Sequence, residues 1–447
     1  MSSLADDRPV LALVLLSGAI RTATTLILVA AHAVLPSFDA SAAVLDQPIA
    51  RRDEAFVRWD TVHFIAIANE GYALEQRLAF TPGLPGLMRG GGRMIAWIRG
   101  AAKVTQEDMV LAGILGSAVA TAGAAVLLFK LSLRHFGSRK FAMTSATLFL
   151  LAPARAVLHA VPYTEPFAAF CAFAGMLAFS ERRHLVAALA WSIGSLFRAQ
   201  GAALGLGFFG WRFMLEGGWQ NGQFSAQRFS VGTIRTAFFA AMAALPLLAF
   251  QAFAHRQFCS PSSTPRPWCS STFGFSYGWV QSHYWDNGFL RYWTFLQIPN
   301  FLLAAPVLAL SFAASYSYYT SLPRQTLSRT LPFLPSSFLP SDSSSSNTGR
   351  NSQRRFLSLS LIPYVHLHTA TTLLLFLSSH IQIILRLCIV NPVVWWYAAD
   401  LVLSSTSHAG DEACAARRKR WGSRWVTYCV VWGTIATILW ALFLPPA

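Results

Sequence analysis

Residues 10–31 read VLALVLLSGAIRTATTLILVAA, an apolar run of 22 residues that contains one charge, Arg21. A helix needs about 20 such residues to cross the hydrocarbon core of a bilayer. The run therefore predicts a membrane span at the start of the chain. A cleaved leader is the alternative, because Ala31-His32-Ala33 resembles a signal-peptidase site, but the length of the run and the preceding Asp6 and Asp7 favour a retained span.

Apolar runs recur along the rest of the chain. Long ones lie at 109–131, 141–158, 236–254, 298–320, 356–378, 380–403 and 424–444, and shorter ones at 163–179, 185–197 and 200–215. Only 12% of all residues are charged, about half the share in a soluble domain. We therefore expect an all-α polytopic membrane protein with about eleven membrane segments, folded as a single domain over residues 1–447.

The net charge of +16 is a property of the loops between these runs. Basic residues cluster at Arg134, Arg139 and Lys140; at Arg182 and Arg183; at Arg324, Arg329, Arg354 and Arg355; and at Arg417 to Arg420. This is the pattern of cytosolic loops in membrane proteins, so we expect no nucleic-acid partner. With these clusters in the cytosol, residues 32–108, 159–163 and 255–297 face the lumen.

This orientation requires the chain to enter the membrane and return between residues 185 and 215. The residues at the reversal are Arg198-Ala199-Gln200-Gly201. A charged side chain at membrane depth faces a cavity or a pathway more often than lipid. Broken helices are tolerated where they line such a cavity. We therefore predict two short helices whose tips lie near a lumenal site.

The first lumenal segment, 32–108, contains RWDTVHFIAIA at residues 58–68. From Val62 the pattern is typical of an apolar helix on the membrane surface. Asp60 stands at its start and His63 is three residues on, on the same face. A structural interpretation is also available: Asp60 caps the helix, His63 is solvated and Arg58 meets lipid head groups.

Four further stretches carry polar groups that are costly in or near a membrane. FTPGLPG at 80–86 predicts a stiff, non-helical turn. Glu165 begins an apolar segment, where it could also serve the helix dipole. An aromatic stretch from Tyr284 to Trp293 contains Trp285 and Arg291 and suits either an interface belt or a sugar- or lipid-contacting surface. Residues 380–386 place His380, Gln382 and Arg386 in an apolar run, where they are not expected to face lipid.

Two other segments have a simpler interpretation. Cys259 and Cys269 flank a Pro- and Ser-rich stretch in the second large lumenal segment, 255–297, where a disulfide would suit an oxidising compartment. A zinc site with His255 and His283 is a weaker alternative, because the spacing is irregular. Residues 321–355 are rich in Ser, Pro and Arg, which predicts a flexible cytosolic loop.

Several of these stretches together resemble the GPI mannosyltransferase 2 family. The resemblance is carried by RWDTVHFIAIANEGY (58–72), FTPGLPG (80–86), PYTEPFA (162–168), SLFRAQG (195–201), RPWC with YGWVQSHYWDNGFLRYWTFLQIPNFLLAAP (266–306), and HIQIILR with NPVVWWYAAD (380–400). They run in the family's order over most of the chain. One departure is Leu84, where the family tends to have an aromatic residue.

The resemblance implies a GT-C-like fold in the endoplasmic reticulum membrane, with the active site in the lumen. It implies transfer of a mannose in α-1,6 linkage from dolichyl-phosphate mannose to a GPI glycolipid, by inversion in a single displacement. A small membrane subunit is left open as a partner. Another dolichyl-phosphate-sugar transferase, of N-glycan assembly, and a lipid-linked sugar transporter are the alternatives.

The mechanism needs a base for the acceptor hydroxyl and positive charge for the leaving phosphate. We assign Asp60 as the base and His63, Arg198 and Arg386 as candidates for the phosphate, with Glu165 and Gln200 orienting sugar hydroxyls. The chain has no D-x-D pair for a nucleotide-sugar metal, so we expect no metal and no cofactor. The remaining predicted substrate-binding residues are Arg58, Trp59, Trp285, Arg291, His380 and Gln382.

Overall fold

The computed structural model describes residues 7–38, 45, 49–51, 53–220, 223–260, 266–334, 355–404 and 412–444. Nearly all regular structure in these ranges is helical. The exception is a small hairpin in which β1 (Trp219–Gln220) pairs antiparallel with β2 (Gln223–Phe224). The expected all-α class is thereby confirmed.

The helices of the first half assemble around one long central helix. They are α1 (Pro9–Val34), α2 (Asp60–Glu70), α3 (Gly83–Ile98), the central α4 (Gln106–Phe136), α5 (Arg139–Leu150), α6 (Glu165–Ser180), α7 (His184–Phe197), α8 (Gln200–Phe209) and the short α9 (Glu216–Gly218). Two π-helical segments interrupt them, at Ala156–Ala160 and Gly210–Leu215. Short 3₁₀ turns lie at Glu54–Phe56 and Glu75–Ala79.

The second half begins with the longest helix of the described chain. Its helices are α10 (Ala226–Phe258), α11 (Ser276–Trp285), α12 (Ile298–Ser321), α13 (Pro323–Thr330), α14 (Ile362–Ser378), α15 (Ile384–Leu387), α16 (Pro392–Val402) and α17 (Glu412–Ala441). Further 3₁₀ turns lie at Pro267–Ser270, Phe295–Gln297, Arg355–Leu357, Leu359–Leu361, Ile381–Ile383 and Cys388–Val390.

Five helical stretches of the described chain are long and apolar enough to cross a membrane, so this is a multi-pass membrane protein. They are Pro9–Val34, Gln106–Phe136, Ala226–Phe258, Phe295–Ser321 and Leu359–Ser378. A sixth is added if Ile381–Val390 and Pro392–Val402, bent by 82° at their junction, form one broken span. The expected number of about eleven is not reached, because several predicted segments form helices shorter than a bilayer.

Two of the predicted spans are interrupted by the backbone. The run 141–158 ends its helix at Leu150 and continues into the π-helical turn Ala156–Ala160. The run 380–403 breaks at Asn391, whose side chain caps α16 just before Pro392. A proline in the first turn suits a new helix but cannot continue an old one. Neither region therefore forms one continuous helix, and 380–403 counts as a span only if its two bent halves cross together.

The predicted reversal near residue 198 is present. Helix α7 ends at Arg198, which is extended, and α8 starts at Gln200. Glycines allow the short helices to pack closely: a Cβ on Gly205 of α8 would lie 2.6 Å from the Cβ of Ala243 on α10. Small residues at such crossings are typical of membrane helix pairs.

The stretch 80–86 is not the non-helical turn that its prolines and glycines predicted. Helix α3 begins at Gly83, so that Pro85 lies in its first turn. Backbone N–H groups in a first turn have no partner within the helix, so a proline there removes no hydrogen bond. A Cβ on Gly83 would lie 2.5 Å from the carbonyl oxygen of Leu196, so this end of α3 packs directly on the end of α7.

A second, smaller hydrophobic core lies apart from the main one. We call it the cap cluster; its buried members are Leu78, Phe250, Ala254, Phe258, Trp268 and Val280. A disulfide joins Cys259 and Cys269 at its edge. The cap cluster therefore ties the predicted lumenal segments 32–108 and 255–297 to each other.

The predicted loop 321–355 is only partly described. Its first residues form α13 (Pro323–Thr330) rather than irregular chain. Residues 335–354, which include the serine run and Arg354, lie outside the described ranges, so the prediction of flexibility there is untested.

Candidate active site

Asp60 is the first residue of α2 and the centre of a charged group of side chains. Its Oδ2 accepts a hydrogen bond of 2.9 Å from Arg386 Nη1, and its backbone N–H donates to the hydroxyl of Tyr163 at 3.3 Å. Trp59 precedes it with φ 53°, in the left-handed region that costs a bulky residue energy. Asp60 does not cap α2, so the structural interpretation of this carboxylate was wrong.

Glu165, at the start of α6, is completely buried and is the second carboxylate of the group. Its Oε1 lies 2.6 Å from Nη1 of Arg198 and 3.9 Å from Nη1 of Arg386. Thr164 also donates to its other oxygen at 3.2 Å. The break between α7 and α8 thus directs Arg198 onto a fully buried carboxylate and gives it the nearest of its counter-charges.

These four side chains alternate in charge: Asp60, Arg386, Glu165, Arg198. Their side-chain exposures are 30% for Asp60, 12% for Arg386, 0% for Glu165 and 25% for Arg198. The chain of ion pairs is therefore sealed at Glu165 and open at its two ends. Asp60 and Arg198 therefore keep the largest exposed fractions of the four side chains, and Glu165 is fully covered.

Burial and the neighbouring charges set the protonation states of Asp60 and His63, the two titratable side chains at the start of α2. Burial opposes ionisation of Asp60, but the Arg386 guanidinium, with a hydrogen bond from Tyr163, outweighs it and holds the pKa of the carboxyl below its usual value. Burial lowers the pKa of His63 even though Asp60 favours its charged form. At neutral pH the site therefore holds an ionised Asp60 beside a neutral imidazole.

Aromatic rings form a wall beside this group. His63 stacks on Phe80 with ring centroids 5.0 Å apart, and Trp285 meets Phe80 edge-on at 5.8 Å. His63 is thus packed between rings rather than solvated. Trp285 ends α11, so residues of the predicted lumenal segment 255–297 form part of this wall.

Two more predicted residues, His380 and Gln382, form a neighbouring polar group around Tyr292. The hydroxyl of Tyr292 donates to Gln382 at 2.9 Å, and its ring stacks on His380 at 4.6 Å. His380 also hydrogen-bonds the carbonyl oxygen of Trp285. Gln382 and Arg386 contact different partners, because residues 381–390 form short turns rather than one regular helix.

Four predicted substrate-binding residues are not brought into the charged group. Arg58 is 1% exposed, over the ring of Phe443 and bonded to His32 and Ser37, so it does not meet head groups. Trp59 packs on the same Phe443 ring. Gln200 lines a small cavity with Trp191 and Leu204, where its Oε1 is buried without a hydrogen bond. Arg291 is half exposed and pairs with Asp286.

Two residues in or beside the site, Tyr163 and Glu75, were not predicted from the sequence. Tyr163 is buried under the guanidinium of Arg386, 5.4 Å from ring centroid to Cζ, and only its place two residues before Glu165 could have signalled it. Glu75 is buried in the first lumenal segment, where it accepts from Trp268 Nε1 at 2.6 Å and the Tyr284 hydroxyl at 2.9 Å. Nothing local in the sequence distinguishes Glu75 from an exposed loop residue.

Cys259 and Cys269 form the expected disulfide rather than a zinc site. The disulfide consumes both thiols that a zinc site with His255 and His283 would need. Within the described ranges, no group of three His, Cys, Asp or Glu side chains is placed to hold a metal ion.

The fold and site define an integral membrane protein whose charged, acid–base-capable group lies where its non-spanning segments meet. Residues 10–447 match the family model described as Mannosyltransferase (PIG-V). The chain belongs to this family and is a glycosyltransferase, which confirms the resemblance seen in its motifs. No solved structure matches the chain.

Curated relatives match over most of the chain. GPI mannosyltransferase 2 of Cryptococcus neoformans is 31% identical over 427 residues, covering 92% of this chain and 93% of that protein. GPI alpha-1,6-mannosyltransferase 2 of Cricetulus griseus is 31% identical over 407 residues, covering 83% and 78%. The Mus musculus protein of the same name is 29% identical over 377 residues, covering 77% and 72%.

Proposed function

We propose that this protein transfers a mannose in α-1,6 linkage from dolichyl-phosphate mannose to the first mannose of a GPI-anchor precursor. The observation that carries the proposal is the ionised, partly exposed Asp60 paired with Arg386, in a chain whose relatives are named for this reaction. The same names favour it over transfer to an N-glycan precursor and over a sugar transporter.

Asp60 is the base of the proposed reaction. A sugar hydroxyl is a poor nucleophile at neutral pH, and a carboxylate that takes its proton as the new bond forms contributes about 10²–10⁴-fold. The hydroxyl oxygen attacks C1 of the donor mannose while the bond from C1 to the phosphate oxygen breaks. The proton ends on Asp60 and the electron pair leaves with dolichyl phosphate, so one displacement inverts a β donor to an α product.

Arg386 stabilises the leaving phosphate and links donor binding to the base. Its Nη1 is 2.9 Å from Asp60, so a phosphate that contacts this guanidinium competes with the carboxylate for it. Loss of that contact raises the proton affinity of Asp60 at the moment when a base is required. Arg198, open at the other end of the chain of ion pairs, is the second candidate for the phosphate.

The neighbouring residues have supporting roles in this proposal. His63 is neutral and wedged between Phe80 and Trp285, where it donates to or accepts from the substrate without adding charge. Glu165 is sealed by Arg198 and orients the guanidinium groups rather than a sugar hydroxyl. The group around Tyr292, His380 and Gln382 is placed to contact sugar hydroxyls beside the charged site. Gln200 and Arg291 do not contribute.

The donor supplies its own activated phosphate, so the reaction as proposed uses no metal and no cofactor. We further propose a GT-C-like architecture in the endoplasmic reticulum membrane with the site facing the lumen. Contacts between segments 32–108, 159–163 and 255–297 support a single face for all three: Asp60 meets Tyr163, and Glu75 meets Trp268. A small membrane subunit is a further proposed partner.

The test uses microsomes that lack the second GPI mannosyltransferase. Wild type, Asp60→Asn and the control Asp286→Asn are expressed in them with labelled dolichyl-phosphate mannose, and the GPI precursors are separated. Asp286 is a lumenal carboxylate whose side chain is 75% exposed, so its variant controls for loss of one charge. We expect wild type and Asp286→Asn to convert the one-mannose precursor to the two-mannose form and Asp60→Asn to leave it unconverted.

Each other outcome contradicts a defined part of the proposal. Label in N-glycan precursors instead of GPI precursors would identify the wrong acceptor. Substantial conversion by Asp60→Asn would remove the base assignment but keep the reaction. Loss of turnover in EDTA, restored by Mn²⁺, would contradict the metal-free mechanism.

A further inference from the structure

Helix α3 (Gly83–Ile98) presents a surface that the proposed chemistry does not use. Its buried face, Leu84, Met88, Gly92 and Ala96, packs on α4. A Cβ on Gly92 would lie 3.0 Å from the Cγ of Met109, so this face is closely fitted. The opposite arc of the helix, which includes Arg89, Arg93, Met94, Trp97 and Ile98, is exposed.

The exposed arc of α3 is divided by charge. One edge carries Arg89 and Arg93, one turn apart and both exposed. The other carries Met94, Trp97 and Ile98, which are 61%, 79% and 69% exposed. Trp97 is the member of the apolar edge that lies next to the basic edge. This pattern is typical of a helix at the boundary between acyl chains and head groups.

Neither arginine has an ion-pair partner within the described part of the chain. The next basic residue along the helix differs in this respect: Arg99 pairs with Asp108 at 2.6 Å, and that carboxylate belongs to the capping box of α4. Arg89 and Arg93 are therefore free to meet an anion, and at this depth the available anions are lipid phosphates.

The position of α3 selects one lipid. Its first residue packs on Leu196, two residues before Arg198, so the helix starts beside the charged site and leads away from it. At 1.5 Å per residue, Arg89 and Arg93 lie about 9 and 15 Å along the axis from Gly83. In a glycosylphosphatidylinositol, the remaining sugar rings separate the reacting mannose from the phosphodiester. When the mannose lies in the site, the phosphodiester therefore lies some way from it, as Arg89 and Arg93 do.

We propose that Arg89 and Arg93 bind the phosphodiester of the acceptor glycolipid, while Trp97 and Met94 contact its acyl chains. This inference rests on the proposed function, because it takes the acceptor to be a phosphoglycolipid. In this proposal α3 fixes the distance between the bound phosphate and the reacting hydroxyl. The acceptor is then selected by its lipid phosphate as well as by its sugar.

The test compares two acceptors in vesicles of phosphatidylcholine alone. One is the lipid-linked one-mannose acceptor, and the other has an uncharged ether in place of the phosphodiester. Wild type, Arg89→Gln, Arg93→Gln, the double variant and the control Lys103→Gln are purified, and their melting temperatures are compared first. Lys103 is exposed, lies five residues beyond α3 and loses the same charge.

We expect each single variant to raise the acceptor KM about threefold and the double variant about tenfold, the size of exposed charge contacts. The donor KM, kcat and melting temperature stay unchanged, and Lys103→Gln behaves as wild type. With the uncharged acceptor, wild type already shows the raised KM and the variants add nothing.

Three results overturn the inference. The first is an unchanged acceptor KM in the double variant. The second is the same increase for both acceptors, which would mean that the arginines act without the phosphate. The third is an effect that appears only when anionic phospholipid is added, which would assign them to bulk head groups. Absence of transfer by wild type would instead contradict the proposed function.

Discussion

Asp60 and Glu75 are two carboxylates of the same predicted lumenal segment, 32–108, held by the same kinds of donor. Asp60 is bound by Arg386 and contacts Tyr163; Glu75 is bound by Trp268 and Tyr284 and lies 3.3 Å from Arg266. They differ in access, with side-chain exposures of 30% and 6%. Similar partners thus hold the carboxylate proposed as the base and a buried carboxylate that joins two segments, and access to solvent distinguishes the two.

The strongest way to break this comparison is to remove the charge of each carboxylate in turn. We expect Asp60→Asn to lower the rate of mannosyl transfer by about 10²–10⁴-fold at unchanged protein level, because the amide cannot take the acceptor proton. Glu75→Gln should keep the rate within about threefold and lower the melting temperature, since Arg266 loses a buried counter-charge. Equal losses of rate would show that access does not separate the two roles.

The variant Arg386→Gln tests, through the pH dependence of transfer, how the partner of Asp60 sets its ionisation. In the wild type the pKa of Asp60 lies below its usual value because Arg386 outweighs burial. Without the guanidinium, burial remains and raises that pKa, so the carboxylate becomes protonated at higher pH as the medium is acidified. We expect a residual rate about 10²–10³-fold lower, with an acid limb displaced toward neutrality relative to wild type.

The measurement is the pH profile of kcat/KM between about pH 4.5 and 8, where an ordinary carboxylate and imidazole titrate. Arg291→Gln is the control, because that half-exposed arginine pairs with the exposed Asp286 and not with Asp60 or Glu165. An acid limb that stays in place in Arg386→Gln would mean that Arg386 does not set the ionisation of Asp60.

Glu165→Gln tests whether the sealed centre of the ion-pair chain is structural. Arg198 would lose its partner at 2.6 Å, and breaking a buried pair costs about 3 kcal/mol. We expect a lower yield of folded protein and a lower melting temperature. In the double variant Glu165→Gln/Arg198→Gln the melting temperature should recover while transfer stays impaired; recovery of transfer as well would remove Arg198 from the phosphate site.

The smallest effect on transfer is expected from Cys259→Ser/Cys269→Ser. The disulfide closes a short loop with a sequence separation of 10, for which loop-closure entropy predicts about 2–3 kcal/mol of stability. The cap cluster should therefore melt earlier, while the initial rate at low temperature changes less than about twofold. Cys414→Ser, at a free cysteine, is the control; a large loss of rate in the double serine variant would place the disulfide in the site itself.

The sequence predicted best what depends on composition alone. The apolar runs at 10–31, 109–131, 236–254 and 298–320 all lie in long helices, because hydropathy over about 20 residues decides whether a helix spans. The break at Arg198 was also predictable, since a charge within an apolar run is costly unless the chain turns there.

The sequence could not predict contacts between distant segments. Glu75 and Tyr163 acquire their importance from Trp268 and Arg386, which lie far along the chain. The interpretation in which Arg58 meets lipid head groups was wrong for the same reason, because its guanidinium lies over the ring of Phe443, near the end of the chain. Bends such as that at Asn391 are also invisible to hydropathy, which measures how apolar a run is and not whether it is straight.

The hydrogen bond between Asp60 and Arg386 joins residues 326 positions apart. During synthesis, the first lumenal segment is made long before Arg386 leaves the ribosome. Until then Asp60 has no cation to offset its burial, so the site cannot close on a partial chain. A chain that stops before residue 386 therefore lacks the cation that offsets the burial of Asp60.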